Sequence, residues 1–139
     1  MKTIPSRFGE IAYDPQDTLL FPQGLIGFEH LRHFVVMPRQ QEGPLFWIQS
    51  VEDPHVAFIL TDPTSFFADY QVVPERKEQE QLGLAEEDPC FTVAVVTVTA
   101  ERQITLNLAA PILFAPGSQR ALQVILDGTQ FSPQTALPV

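Results

Sequence analysis

Short apolar runs separated by polar corners fill this chain, and their lengths are those of strands rather than helices. Phe34-Val35-Val36-Met37, within residues 33–38, is β-branched and strand-sized, the pattern of a buried strand. Leu45-Phe46-Trp47-Ile48-Gln49-Ser50 and Ala57-Phe58-Ile59-Leu60-Thr61 read as the next two strands, paired as a hairpin across Val51-Glu52-Asp53-Pro54. Residues 90–99 carry the strongest strand signal, Phe91-Thr92-Val93-Ala94-Val95-Val96-Thr97-Val98-Thr99, and are expected at the centre of the sheet. Ala100-Glu101-Arg102 is a tight connection to a strand over residues 104–108. Residues 111–114 and 120–126 form another pair across Pro116-Gly117-Ser118. Upstream, residues 3–13 read as two short strands or a bent hairpin, with Arg7-Phe8-Gly9-Glu10 near the corner, and residues 18–21 as one more strand.

Only residues 74–82 read as a helix. Pro74 stands at its first turn, Glu75 near its positive end, and Arg76 and Glu80 at i,i+4 spacing, while Gly83 stops it. It has almost no apolar face, which places it on the surface. Residues 64–70 are rich in aromatics but too short for a helix assignment. Asp53-Pro54 and Asp62-Pro63 are turn devices, because an aspartate can bond its own backbone ahead of a proline. Eight or nine short strands with Gly and Pro corners and one surface helix predict an all-β fold with minor α content, a small closed or partly open antiparallel barrel or roll. Residues 1–127 are expected to form a single domain, and residues 128–139 a Pro-containing tail. That tail either drapes over the domain or stays mobile.

One stretch follows no period: Phe21-Pro22-Gln23-Gly24-Leu25-Ile26-Gly27-Phe28-Glu29. Pro22 fixes its own φ and pushes Phe21 towards an extended conformation. Gly24 and Gly27 are free to take positive φ. The expected product is a rigid loop that lowers Leu25, Ile26 and Phe28 onto the fold, with Glu29 as its one charge.

Composition narrows the function classes. The chain has 139 residues, 45% of them hydrophobic, which rules out a disordered tail despite 13 prolines. Eleven phenylalanines against one Trp and two Tyr point to a core built on Phe. Seventeen acidic against eight basic side chains give a net charge of −9, which opposes direct nucleic-acid binding and favours capture of a basic partner. Cys90 is the only cysteine, so no intramolecular disulfide forms. With no signal-peptide pattern and no bilayer-spanning apolar stretch, the protein is expected to be cytoplasmic, with no membrane partner.

Candidate chemistry is sparse. His30 and His33 stand three apart beside Glu29, but a zinc site needs further ligands that the spacing does not supply, so no metal and no cofactor are expected. Ser50, Asp53 and His55 are neighbours in sequence, and a small hydrolase using them or a carboxylate pair is the alternative function. No nucleophile elbow and no phosphate loop occurs, so the expectation is a protein that is not an enzyme, without catalytic residues. Cys90 opens an apolar strand and is expected to be a buried structural thiol. The aromatic run Phe66, Phe67 and Tyr70, with Asp69, precedes an acidic block that includes Glu75 and Glu78. Such a patch suits a basic, partly apolar partner.

The order of these motifs resembles the FliW flagellar assembly factor family. The likeness runs through Arg7-Phe8-Gly9-Glu10, the Phe21–Glu29 stretch, Leu45-Phe46-Trp47-Ile48-Gln49-Ser50 with Asp53-Pro54, and Ala57-Phe58 with Thr61-Asp62-Pro63. It continues through Tyr70, Val95-Val96-Thr97, Leu106-Asn107-Leu108 with Ala110-Pro111-Ile112, and Gln123-Val124-Ile125-Leu126. Family members often carry proline where Ile26 stands and an acidic residue where Gln23 stands, and residues 115–118 depart from the family's Asn- and base-rich turn. The resemblance implies a non-enzymatic regulator that binds the RNA-binding repressor CsrA, relieves repression of flagellin messenger RNA, and also binds flagellin in a partner switch. The acidic charge opposes direct contact with RNA, and a monomer is expected. For the partner-binding surface, acidic and aromatic character selects Glu29, Phe66, Phe67, Asp69, Tyr70, Glu75 and Glu78. Structural roles are expected for Phe21, Pro22, Gly24, Gly27, Phe28, Asp53, Asp62 and Asn107.

Overall fold

β1 (Lys2–Ser6) and β2 (Gly9–Tyr13) pair antiparallel as a separate two-stranded ribbon. Its apolar face, Ile4 and Ile11, is buried against Val35. The chain then makes a 3-10 turn at Pro15–Asp17, where the Asp14 carboxylate accepts the Gln16 N–H at 2.9 Å. The computed structural model describes residues 2–6, 9–37, 43–85, 87–126 and 131–137. Arg7 and Phe8 of the expected corner, residues 38–42 of the polar loop, Glu86 and residues 127–130 lie outside the described residues.

The remaining strands are β3 (Leu19–Leu20), β4 (His33–Val36), β5 (Leu45–Ser50), β6 (Ala57–Thr61), β7 (Phe91–Val98), β8 (Ile104–Leu106), β9 (Ile112–Ala115), β10 (Arg120–Gln123) and β11 (Thr135–Ala136). They hydrogen-bond in the order β11-β8-β7-β6-β5-β4-β3-β10-β9, and β9 returns to β7. The ring from β7 through β6, β5, β4, β3, β10 and β9 is a closed seven-stranded barrel, with β8 and β11 outside it. The expected β-barrel therefore forms, with a single α-helix among the described residues. Its pairings are antiparallel except one: β10 lies parallel to β3, with Arg120 opposite Leu20.

β7 explains its own spelling. Val93 and Val95 pack on the barrel interior with Leu19, Phe21, Phe34, Ile48 and Leu60. Ala94 and Val96 pack on the opposite face with Tyr70, Leu106 and Leu108. Over Val93-Ala94-Val95-Val96 the strand is covered on both faces, so its run there is continuous rather than alternating, while Phe91, Thr97 and Val98 at its ends are exposed. Inside the barrel, Phe34 stacks edge-to-face on Phe21 with ring centroids 5.2 Å apart, and Phe28 on Phe58 at 5.2 Å.

α1 (Arg76–Leu82) occupies the predicted segment, with two refinements. Glu75 is the N-cap, so Pro74 precedes the helix rather than standing in its first turn. Leu82 is fully buried against Leu113, Ala115 and Leu122, so the otherwise polar helix is pinned by its last residue. Gly83 ends it at φ 67°, the left-handed position that favours glycine. The β9–β10 turn holds that end: the Ser118 hydroxyl donates to the Leu82 carbonyl at 2.5 Å and Arg120 Nη1 to the Gln81 carbonyl at 3.3 Å.

Candidate partner-binding surface

The Phe21–Glu29 loop is held by its own backbone and by one distant side chain. Gly24 N–H donates to the Phe21 carbonyl at 2.9 Å, Phe28 N–H to Leu25 at 2.7 Å, and Phe21 N–H to Arg32 at 2.7 Å. Gly24 has φ +67°, and a methyl group there would lie 2.5 Å from the Cα of Glu29. Phe21 and Leu25 are buried, and Pro22 and Phe28 are half-buried. Ile26 corrects the expectation: it is 54% exposed and points away from the core. What holds it is backbone, since its N–H donates to Gln123 Oε1 at 2.8 Å. Glu29 is exposed on this loop.

The other structural residues act as turn acceptors. Asp53 accepts the His55 N–H at 2.9 Å, Asp62 accepts the Thr64 N–H at 2.9 Å and its hydroxyl at 2.6 Å, and Asn107 Oδ1 accepts the Ala110 N–H at 3.0 Å. The Asn107 turn lies at the break between β8 and β9, which share one side of β7.

The aromatic and acidic candidates divide by depth. Tyr70 is 5% exposed, and its hydroxyl donates to the Leu108 carbonyl at 2.7 Å. Phe66 and Phe67 are half-buried against the same cluster of Tyr70, Ala94, Val96, Leu106 and Leu108. Asp69 and Glu75 are exposed and Glu78 is half-buried. Glu78 Oε1 accepts the Glu75 N–H at 2.8 Å, one arm of a capping box, so these two carboxylates are brought together at the start of α1. Val72 packs against both the Tyr70 cluster and the Leu82 cluster, joining the aromatic segment to the helix. Its neighbour Val73 is 74% exposed between Tyr70 and Glu75, an apolar side chain that sequence reading did not select. The signal was present, because two adjacent valines in an extended segment face opposite ways.

The neighbourhood of Ser50 is a turn. Ser50 is fully buried, and its hydroxyl accepts the N–H groups of Glu52 and Asp53 at 3.1 and 3.0 Å. Asp53 faces the His55 backbone rather than its ring. Beside it, Gln49 is buried and donates Nε2 to the carbonyls of Ser50, Asp53 and Val56 at 3.1–3.2 Å. Glu52 gathers the N–H groups of Arg32 and His33 and lies 3.2 Å from His33 Nδ1. Cys90 is half-buried, and that burial pushes its thiol pKa up, so it is poorly ionised at neutral pH. Among the described residues no group of three or more His, Cys, Asp or Glu side chains is placed to share a metal ion. No helix among them is long and apolar enough to cross a membrane.

Comparison with known proteins gives this arrangement a context. A family model described as FliW protein matches residues 2–137. The chain is 57% identical over 137 residues to a flagellar assembly factor FliW of Syntrophotalea carbinolica, covering 99% of this chain and 98% of that one. It is 58% identical over 138 residues to flagellar assembly factor FliW 2 of Desulfotalea psychrophila, covering 99% and 91%. Among solved structures, a crystal structure of the flagellar assembly factor FliW superposes with a TM-score of 0.89 at 29% identity, over 99% of this chain and 98% of that one. Over residues 2–137, from the N-terminal ribbon to the strand that follows Phe131, the chain belongs to the FliW family of flagellar assembly factors.

Proposed function

We propose that this protein is a non-enzymatic, cytoplasmic regulator of flagellum assembly that works as a monomer by switching between two protein partners. One is CsrA, the basic RNA-binding repressor of flagellin translation, whose capture relieves that repression. The other is flagellin, which draws the protein away from CsrA as it accumulates. Family membership over residues 2–137 is the observation that carries this reading. The net charge of −9 supports it, since an acidic chain is attracted to a basic partner and repelled by the RNA that partner binds.

The surface proposed for CsrA is the segment running from Phe66 to Glu78. Asp69, Glu75 and Glu78 offer charge, exposed Val73 offers an apolar contact, and half-buried Phe66 and Phe67 back the patch. Tyr70 serves it from beneath by tying the segment to the Leu108 carbonyl, just past the end of β8. Glu29, exposed on the signature loop, is proposed as a further contact.

Titration calorimetry of the purified chain with CsrA tests the reading. A complex is expected that weakens as salt rises and that flagellin competes away. No heat and no complex at low salt would overturn it.

A further inference from the structure

β8 has one edge on β7 and the other under the chain's own C-terminal segment. That second contact is slight. β11 meets β8 at two residue pairs, Thr135 opposite Leu106 and Ala136 opposite Thr105. The flanking hydrogen bonds, Leu108 N–H to Ser132 and Leu137 N–H to Ile104, are long at 3.3 and 3.4 Å. On the β7 side, the Asn107 N–H reaches the Val95 carbonyl at 3.0 Å.

Side chains supply the rest of the grip. The Phe131 ring lies edge-to-face on Tyr70 with centroids 4.9 Å apart. Phe131 and Leu137 are both half-buried against Tyr70, Leu106 and Leu108. Between them the segment folds on Ser132, whose hydroxyl accepts the Gln134 N–H at 3.1 Å and whose carbonyl accepts the Thr135 hydroxyl at 2.8 Å. If the segment left, it would uncover an apolar surface and an unpaired strand edge together, the two features by which a sheet accepts an added strand.

We propose that the outer edge of β8 is a docking site for an extended segment of a partner polypeptide, and that residues 131–137 occupy it as a displaceable guard. The chemistry of the occupant is set by the guard. A short strand completes the β8 ladder, an aromatic ring takes the place of Phe131 on Tyr70, and an aliphatic side chain takes that of Leu137. Main-chain bonds give such a segment its affinity and the two side-chain positions its specificity. Basic residues flanking the segment are favoured by the net charge of −9. Apparent affinity falls in proportion to the fraction of molecules whose edge is open, so the guard sets how strongly a partner must bind. The site does not depend on the identity of the partners proposed above, because the guard sequence itself serves as probe.

A fluorescein-labelled peptide of residues 131–137 is titrated into the full-length chain and into full-length F131A/L137A. The variant should bind it about tenfold more tightly than the natural chain, through removal of the competing guard. A peptide carrying alanine in place of its phenylalanine should bind the variant at least about tenfold more weakly than the natural one, since it lacks the ring that packs on Tyr70. Equal binding by both proteins, or binding by neither, overturns the proposal. A concentration-dependent dimer of the natural chain that exchanges residues 131–137 replaces the partner segment with a second copy, and overturns it too. Amide exchange of the natural chain gives a readout that does not rely on the variant folding. Alternation along the strand aims the Leu106 and Leu108 N–H groups at β11 and those of Thr105 and Asn107 at β7. The first pair should exchange about tenfold faster than the second, because opening of the guard frees one edge and leaves the other. Equal protection of the two edges means that the guard does not open separately, and the proposal fails.

Discussion

The hydroxyl of Tyr70 donates to the carbonyl of Leu108 at 2.7 Å, across 38 residues of chain. This bond ties the aromatic segment after β6 to the break between β8 and β9, and it lies directly beneath Phe131. Tyr70→Phe keeps the ring and leaves a buried carbonyl unpaired, at an expected cost of about 1–2 kcal/mol. Burial also raises the Tyr70 pKa from 10.0 to about 12. The folded chain thus keeps a proton that the unfolded chain releases, so the stabilisation is whole below pH 10.0 and is lost as pH rises to about 12. Urea unfolding across that range should show a falling midpoint in the natural chain and a flatter one in Tyr70→Phe. Parallel profiles would show that another group governs the alkaline limb.

Two glycines of the signature loop make unequal demands. Gly24 at φ +67° has no room, since an added Cβ would meet the Glu29 backbone at 2.5 Å, whereas Gly27 at φ +85° opens onto space. Gly27→Ala carries left-handed strain alone, about 1 kcal/mol. Gly24→Ala adds displacement of backbone and should cost about 3 kcal/mol or more. Denaturant midpoints of the two variants decide it, and equal losses would refute the close-approach account.

Gln123 bridges two parts of the chain that sequence order keeps apart. Its Oε1 accepts the Ile26 N–H at 2.8 Å and its Nε2 donates to the Ala110 carbonyl at 3.0 Å. Gln123→Leu loses both bonds and should cost about 2 kcal/mol, while Gln123→Glu keeps the acceptor and falls between. Thermal unfolding orders the three proteins. A leucine variant as stable as the natural chain would mean that the signature loop is fixed by its own turns alone.

Strands β5 and β6 are legible to the residue because Pro44, Asp53-Pro54 and Asp62-Pro63 fix their ends chemically. The Val93–Val96 run in β7 is legible because burial on both faces writes itself as unbroken apolar residues. Other features arise only when distant segments meet. The parallel seam between β10 and β3 comes from closing the barrel, where no hairpin constrains direction. Ile26 looks like a core residue by type, and its exposure and its bond to a side chain 97 positions away arise only in the folded chain. The turn before β10 places Gln119 rather than Gly117 at positive φ, a choice that composition does not reveal. At the proposed surface, sequence selected acidic and aromatic residues together, but burial sorts them: Tyr70 inside, Phe66 and Phe67 half-buried, Asp69 and Glu75 outside.

That sorting decides how the surface proposed for CsrA should be probed. Charge reversal of Glu75 and Glu78 confounds two effects, because Glu78 also accepts the Glu75 N–H at the helix start. E75K/E78K is expected to lose about 1 kcal/mol of stability with the cap, apart from any effect on binding. E75Q/E78Q removes the same two negative charges while glutamine at position 78 keeps a capping acceptor. The exposed pairs Lys77 with Glu75 at 3.8 Å and Arg76 with Glu80 at 4.0 Å add little to stability in either case. Stopped-flow association with CsrA should therefore be severalfold slower for E75Q/E78Q at low salt, with the difference shrinking as salt rises and the unfolding midpoint unchanged. An unchanged association rate would move the interface off the start of α1, and Glu29→Lys, measured in the same series, would show whether it lies at the signature loop.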